Sequence, residues 1–220
     1  MSLDLKLYKK RGRKMKVILV NGSPKEKGCT YTALEEVAGA LEKNGIETEI
    51  FWVGNKPLSG CLGCGACLKS GKCFMDDTVN TFVEKAKSAD GFVFGSPVHY
   101  AAASGSITSF LDRAFYGKGS VFQGKPGAAV VSCRRGGAAA AFDQLNKYFT
   151  ISCMPIVSSQ YWNQVHGNTP EEVRKDEEGL QTMRTLGNNM AWLLKCIESG
   201  KENGVTFPER EAALKTNFIR

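Results

Sequence analysis

The stretch Lys16-Val-Ile-Leu-Val-Asn21, followed by Gly22-Ser-Pro-Lys-Glu-Lys-Gly28, indicates the fold of this chain. A short, continuous apolar run is typical of a strand that is buried on both faces of a parallel sheet. Over residues 30–44, apolar side chains recur at helical spacing and stop at the pair Asn44-Gly45, a common helix end. The sequence therefore predicts a strand, a loop and a helix in succession.

The same alternation continues along the chain. Short apolar runs predict further strands at residues 47–53, 91–95, 128–133 and 154–158, and helical spacing predicts helices at 78–89, 104–115, 138–149 and 178–197. Five strands alternating with five helices predict a doubly wound α/β fold with helices on both faces of the sheet. Two connections, residues 54–77 and 161–177, exceed the usual loop length, and long loops are where functional residues are expected.

Length and composition predict one globular domain. The 220 residues are 42% hydrophobic and 23% charged, which excludes collagen-like and disordered chains. No apolar stretch approaches the roughly 20 residues of a membrane-spanning helix, and the apolar core of a signal peptide is missing at the start. We therefore expect a cytoplasmic protein without a membrane partner.

The formal net charge of +7 is concentrated at the start of the chain. Residues 1–14 hold six Lys or Arg and one Asp, so the rest is nearly neutral, which argues against a nucleic-acid partner. We predict that residues 1–14 are a flexible arm or partly a remnant of cloning. Residues 15–198 are predicted to form the domain, and residues 199–220 a tail that packs on the domain or on a neighbouring subunit.

The loop after the first strand has the parts of a phosphate-binding site. It combines the hydroxyls of Ser23 and Thr30, the cation of Lys25 and the flexible Gly28 with a helix N-terminus. It matches neither the Walker A pattern nor G-x-G-x-x-G, so a phosphate monoester on a mononucleotide fits better than a triphosphate or dinucleotide. A helix start that is merely capped by turn residues stays open as an alternative.

The loops after the third and fourth predicted strands would face the same cleft, because ligands of such sheets lie beyond the carboxyl ends of the strands. Pro97 and Tyr100 could form a wall for a planar ring, and Gly136 and Gly137 could offer backbone N–H groups to it. Arg134 and its neighbour Arg135 are either cations beside that ring or solvated surface arginines. In the helix between these loops, we expect Asp112 and Arg113 to form an internal ion pair or a cap.

Four of the eight cysteines lie within thirteen residues, in the motif Cys61-x2-Cys64-x2-Cys67-x5-Cys73. Cytoplasmic thiols are kept reduced, so clustered cysteines there usually indicate metal or redox chemistry. Four thiolates around one centre suit a [4Fe–4S] cluster. A zinc site and free thiols are the alternatives, and the other four cysteines are expected only to pack.

Several motifs together resemble the flavodoxin-like NAD(P)H-dependent FMN reductase family. They are Gly22-Ser-Pro-Lys25, Gly28-Cys-Thr30, Gly95-Ser-Pro-Val-His-Tyr100, Phe110-Leu-Asp-Arg113, Ser132-Cys-Arg-Arg-Gly-Gly137 and Tyr161-Trp-Asn-Gln-Val-His-Gly167. The cysteine motif resembles that of the iron–sulfur flavoprotein branch. The resemblance covers residues 16–220 and implies a five-stranded parallel sheet of order 2-1-3-4-5.

The resemblance also implies a function and a set of site residues. It implies an FMN-dependent oxidoreductase that takes electrons from NAD(P)H or reduced ferredoxin and passes them to a small molecule or protein. A [4Fe–4S] cluster would be held by Cys61, Cys64, Cys67 and Cys73. The residues implied to bind FMN are Ser23, Lys25, Gly28, Cys29, Thr30, Tyr31, Pro97, Val98, His99, Tyr100, Ser132, Cys133, Arg134, Arg135, Gly136 and Gly137.

No side chain is expected to be catalytic, because the flavin carries the chemistry. The resemblance further implies a homodimer or homotetramer. Two alternatives stay open, a cluster-free NAD(P)H-dependent FMN or quinone reductase and a non-enzymatic electron carrier of the flavodoxin type.

Overall fold

A computed structural model describes residues 14–212, 214 and 216. The predicted basic arm, except Lys14, and the last four residues lie outside the described part. The strands are β1 (Lys16–Asn21), β2 (Glu47–Trp52), β3 (Gly91–His99), β4 (Ala102–Ala103), β5 (Gly127–Cys133) and β6 (Gln164–His166).

One central sheet has the strand order β2-β1-β3-β5-β6, and all neighbours in that order are parallel. The two-residue β4 pairs antiparallel with the end of β3. Counted over the five parallel strands, the order is 2-1-3-4-5. The predicted doubly wound, flavodoxin-like sheet is therefore confirmed.

The helices connect these strands. They are α1 (Cys29–Lys43), α2 (Ala66–Ser70), α3 (Thr78–Ala86), α4 (Gly105–Lys118), α5 (Ala138–Ile151), α6 (Pro170–Val173) and α7 (Glu177–Glu202). A 3₁₀ turn spans Gly119–Val121. No helix in the described ranges combines the length and the apolar character needed to cross a membrane.

The sheet is buried on both faces, which explains the continuous apolar sequence of β1. Val17 and Leu19 belong to the core shared with α1 and α7, whereas Ile18 and Val20 belong to the core shared with α3, α4 and α5. The second core is rich in phenylalanine, and Phe82 contacts five other aromatic rings there. Both faces therefore exclude water, and the open edge at the carboxyl ends of the strands is left for function.

The predicted fifth strand at residues 154–158 is wrong. Only Ile156 forms a bridge in this segment, opposite Gly127, and the last parallel strand is β6, which lies inside the predicted loop 161–177. Both segments pair with β5, at its start and at its end, so the edge of the sheet is interrupted between them. Within β6 only Val165 is buried. A three-residue strand with one apolar side chain leaves no apolar run in the sequence.

Several elements are longer than predicted. β3 continues to His99 because it pairs with β5 as far as Pro97 and with β4 at Val98 and His99. Helix α7 runs to Glu202, past the predicted domain limit at residue 198. Beyond it, the Phe207 ring lies against Gly124, so the described part of the tail touches the domain there.

Candidate functional site

The carboxyl ends of four parallel strands lie in register at one edge of the sheet. Asn21 of β1 is paired with Gly95 of β3, and Pro97 of β3 with Ser132 of β5. At the far side, Cys133 is paired with His166 of β6. The loops that follow these strands therefore start side by side.

The first of these loops, between β1 and α1, is held by side chains on both flanks. The Asn21 amide accepts a hydrogen bond from the Ser23 N–H at 3.0 Å and donates one to the Glu26 carbonyl at 2.9 Å. From β2, the Trp52 indole N–H donates to the Ser23 carbonyl at 2.8 Å. The loop is thus fixed in shape before any ligand binds.

The N-terminus of α1 leaves donors free for an anion. Within the described chain, the N–H groups of Cys29, Thr30 and Tyr31 have no hydrogen-bond acceptor, and the capping residue Gly28 has no side chain to supply one. The side chain of Lys25 is exposed and forms no ion pair with any described residue. Free N–H groups, a helix dipole and a cation fit a phosphate group.

The side chains of Cys29 and Tyr31 contact groups other than the free N–H groups at the start of α1. The Cys29 thiol lies 3.8 Å from the carbonyl oxygen of Gly167, and burial raises the pKa of that thiol. The Tyr31 ring lies under the ammonium of Lys27, 3.6 Å from the ring centre, and lines a groove between α1 and β2. Of the residues predicted to bind FMN, only Tyr31 lines this groove, so we do not assign the cofactor to it.

The second loop, Pro97 to Tyr100, is exposed at its tip and is followed by a residue that bonds to the first loop. Its turn places Tyr100 and Ala101 in the left-handed region, with φ of 48° and 61°, and the Tyr100 side chain is fully exposed. The Ser104 hydroxyl donates to the Gly22 carbonyl at 3.0 Å, which ties this loop to the first one. The exposed Tyr100 and His99 therefore lie beside the first loop.

The third loop, Ser132 to Gly137, packs against the second. Gly137 has a φ of 92°, and a Cβ there would come within 2.5 Å of the Ala101 Cα atom. Arg134 and Arg135 are exposed, and neither forms an ion pair with a described residue. Positive charge at this end of the site suits the electron-rich pyrimidine edge of a flavin.

Cys133 is buried at the base of the third loop. Its thiol lies 3.4 Å from the Arg135 carbonyl oxygen and 3.5 Å from His166 Nδ1. Burial raises the pKa of Cys133. The side chain thus holds the loop and does not face the open edge as a thiolate.

The structure brings the three predicted FMN loops together, and none of their residues lines the cavity of the four clustered cysteines. Thr30 and Ser132, from the first and third loops, share a hydrogen bond, and both side chains are buried. The edge offers anion donors at α1 and open backbone and aromatic groups at the second and third loops. These residues fit the phosphate and the planar ring of FMN.

The four clustered cysteines line one small cavity of about 20 Å³. Cys67 lies on the short helix α2 and Cys73 just before α3, and both are half-buried, while Cys61 and Cys64 are exposed. The wall is completed by Leu62, Phe74, Met75, Arg113 and Tyr116. The chain therefore folds all four thiols around a common space with largely apolar surroundings.

Arg113 forms an ion pair, but its partner is not the neighbouring residue. Its guanidinium binds the carboxylate of Asp77 at 2.6 Å, whereas Asp112 accepts a hydrogen bond from the Tyr148 hydroxyl. Burial acts to lower the pKa of Arg113, but the bonds to Asp77 and Cys73 outweigh it and raise that pKa. The contact was missed from the sequence because these residues are far apart in the chain.

Asn80 is a second residue of this site that the sequence did not reveal. Its amide accepts from the Cys73 N–H at 3.0 Å and donates to the Cys73 carbonyl at 2.9 Å. The backbone of Cys73 is therefore bound at both polar groups. A lone Asn on an amphipathic helix carries no sequence signal for such a role.

The four cysteine side chains do not converge on one point in the described part of the chain. Within residues 14–212, no three His, Cys, Asp or Glu side chains are close enough together to bind one ion. A tetrahedral zinc site needs every sulfur about 2.3 Å from the same atom. Four thiols that line one cavity have the ligand chemistry of a group with several metal atoms, in which each thiolate binds a different iron.

Comparison with known proteins identifies relatives over most of the chain. The family model of the NADPH-dependent FMN reductases matches residues 15–169. The chain is 34% identical over 192 residues to an iron–sulfur flavoprotein of Methanocaldococcus jannaschii, covering 84% of this chain and 100% of that protein. It is 29% identical over 199 residues to an iron–sulfur flavoprotein of Archaeoglobus fulgidus, covering 83% of this chain and 98% of that protein.

Solved structures show the same fold at lower identity. A flavone reductase superposes with a TM-score of 0.66 at 16% identity, over 84% of this chain and 64% of that one. A flavodoxin from the Archaea superposes with a TM-score of 0.57 at 17% identity, over 82% of this chain and 99% of that one.

Proposed function

Since the chain belongs to the NADPH-dependent FMN reductase family, in its iron–sulfur flavoprotein branch, we propose a specific form of electron transfer for it. It is an FMN-dependent oxidoreductase. We propose that its electron donor is NAD(P)H or reduced ferredoxin and its acceptor a small molecule or a protein. The four clustered cysteines would bind a [4Fe–4S] cluster.

The FMN site is proposed at the carboxyl ends of the strands. Bound FMN supplies hydride and one-electron chemistry. Lys25 and the free N–H groups at the start of α1 would bind the phosphate, and the buried hydroxyls of Thr30 and Ser132 would orient it. Pro97 to Tyr100 would cover the ring, while Arg134 and Arg135 would stabilise negative charge on it.

The observation that carries the cluster proposal is the cavity lined by Cys61, Cys64, Cys67 and Cys73. Four thiolates from one short segment are the ligand set of such a cluster, and the lining of the cavity is largely apolar. The names of the relatives support the same assignment.

The surface around the cysteine site supports a protein partner. Leu62, Leu68 and Phe74 are each more than half exposed there, at 66%, 67% and 59%. Clustered apolar side chains of this kind favour protein contacts, so we propose that ferredoxin or a second copy of the chain binds this face.

All eight cysteines are unpaired, which suits a cytoplasmic protein.

The cluster proposal is tested by purifying the protein without oxygen and measuring FMN, iron and acid-labile sulfide per chain. We expect FMN with iron and sulfide in the wild type, and loss of iron with retention of FMN in Cys64→Ser. Cys196→Ser is the matched control, because Cys196 is an exposed cysteine on α7 outside the motif. Iron-free protein with FMN would instead identify a cluster-free reductase.

The donor and acceptor are tested by steady-state oxidation of NADH, NADPH and reduced ferredoxin with quinone, free FMN and protein acceptors. Turnover with at least one donor and acceptor is expected. Turnover with none of them would contradict the proposed reaction and favour an electron carrier of the flavodoxin type.

A further inference from the structure

Arg113 is a buried cation in contact with the cysteine site. Its side chain is 1% exposed, and its Nη2 atom lies 3.4 Å from Cys73 Sγ. The same guanidinium binds both oxygens of Asp77, at 2.6 and 2.9 Å. A planar fork of this kind fixes the arginine in one orientation.

The guanidinium has one donor left over. Its Nε atom is buried and has no hydrogen-bond partner among the described residues. Buried polar atoms are nearly always partnered, so this unused donor is unusual. Arg113 also lines the cavity of the four cysteines, so its positive charge borders any anionic group bound there.

The four cysteines differ in how firmly the surrounding residues hold them. Cys73 is bound by Arg113 at its sulfur and by Asn80 at its backbone. Cys61 and Cys64 lie on the exposed part of the loop. One ligand is therefore fixed to the domain before the site is filled, and that ligand is the one that Arg113 contacts.

In the Arg113–Asp77 ion pair, water screens the negative charge more than the positive charge. The Asp77 side chain is 33% exposed and is screened by water, whereas the guanidinium is dry. Interactions of a buried charge are screened less than those of an exposed one. The cysteine cavity therefore borders on the positive member of the pair.

We propose that Arg113 is a positioning residue that holds Cys73 in the cavity and stabilises the more reduced state of the group bound there. The inference rests on the proposed iron–sulfur cluster. Gain of one electron from the donor makes a thiolate-bound cluster more negative by one charge. A nearby cation and an N–H···S bond favour that state and raise the reduction potential.

The test uses the anaerobically purified holoprotein and the variants Arg113→Met and Arg113→Lys. The readouts are iron and sulfide per chain and the reduction potential of the cluster, titrated with mediators and followed by electron paramagnetic resonance. We expect a more negative potential in Arg113→Met and a smaller shift in Arg113→Lys, which keeps the charge but loses the fork. The control is Arg184→Met, which removes an equal charge from the pair between Arg184 on α7 and Glu36 on α1, outside the cavity.

Each outcome decides a different point. Wild-type protein that holds no iron and sulfide after anaerobic reconstitution overturns the cluster proposal and this inference with it. A cluster whose potential is the same in the wild type and in both Arg113 variants overturns only this inference. Loss of FMN and of cooperative unfolding in both variants shows a purely structural role and also overturns it.

Discussion

Thr30 and Ser132 share a hydrogen bond of 2.8 Å between their buried hydroxyl oxygens, although 102 positions separate them in the chain. The bond joins the start of α1 to the end of β5 across the intervening strand β3. One of the two hydroxyl hydrogens is used in this bond, and the other is left for a ligand. The pair therefore links the first and third loops at the point where we place the FMN phosphate.

Thr30→Val should weaken FMN binding by about tenfold, because it removes a hydroxyl from a charged ligand while keeping the side-chain shape. It should also cost roughly 1 kcal/mol of stability, since Ser132 loses its partner. Quenching of FMN fluorescence in a titration of the apoprotein measures the affinity. Thr150→Val is the control, because the Thr150 hydroxyl bonds only carbonyls of its own helix. Equal FMN affinity in both variants would contradict the assignment.

Gly137→Ala should lower both stability and FMN affinity. Its φ of 92° is strained for alanine, and the added Cβ would approach the Ala101 Cα atom to 2.5 Å. We expect a loss of roughly 1–3 kcal/mol in the free energy of unfolding. Gly136→Ala is the neighbouring control, because a Cβ there would meet no atom within 4 Å. Thermal unfolding and FMN titration of both variants provide the comparison, and similar results for the two would show that the loop contact is unimportant.

Gly117→Ala should reduce the iron content without unfolding the protein. A Cβ at Gly117 would lie 3.1 Å from Cys67 Cβ and 3.2 Å from its sulfur, so Cys67 would have to move. The substitution also favours the helix by up to about 1 kcal/mol, so the melting temperature should not fall. Iron and sulfide per FMN are measured after anaerobic reconstitution. Gly119→Ala is the control, because a Cβ there would meet no atom within 4 Å, and it should keep the wild-type iron content. An unchanged iron content in Gly117→Ala would show that the close contact with Cys67 does not matter.

Glu49 should stabilise the fold in a pH-dependent way. Burial acts to raise its pKa, but hydrogen bonds and ion pairs with Lys16 and Lys85, both at 2.7 Å, outweigh this and hold the pKa below its ordinary value. The stabilisation is therefore complete above the unfolded pKa and is lost as the pH falls through the lower, folded pKa.

Glu49→Gln should cost roughly 1 kcal/mol at pH 7, and the difference from the wild type should shrink below about pH 4. Urea unfolding at several pH values measures it. Glu198→Gln, from an exposed pair with Lys201 at 3.7 Å, should have little effect at any pH. A difference that is independent of pH would contradict the role of the Glu49 carboxylate.

The sequence predicted those parts of the fold that depend on local pattern. β1 was recognised because a strand buried on both faces must be apolar at every position, and α1 because its buried face repeats at helical spacing. β6 was missed because its single buried residue, Val165, forms no pattern. Its place in the sheet depends on pairing with β5 and not on its own sequence.

For the candidate site, the sequence by itself determined which chemical groups are present. They are four closely spaced thiols, a loop with the groups that bind an anion, and aromatic and glycine residues after neighbouring strands. Only the tertiary structure decided that Thr30 meets Ser132, that Gly137 lies against Ala101, and that Arg113 binds Asp77 beside Cys73. Motif spacing reports on residues near each other in the chain. Contacts between distant segments arise from the pairing of strands and the packing of helices, so they exist only once the sheet has formed.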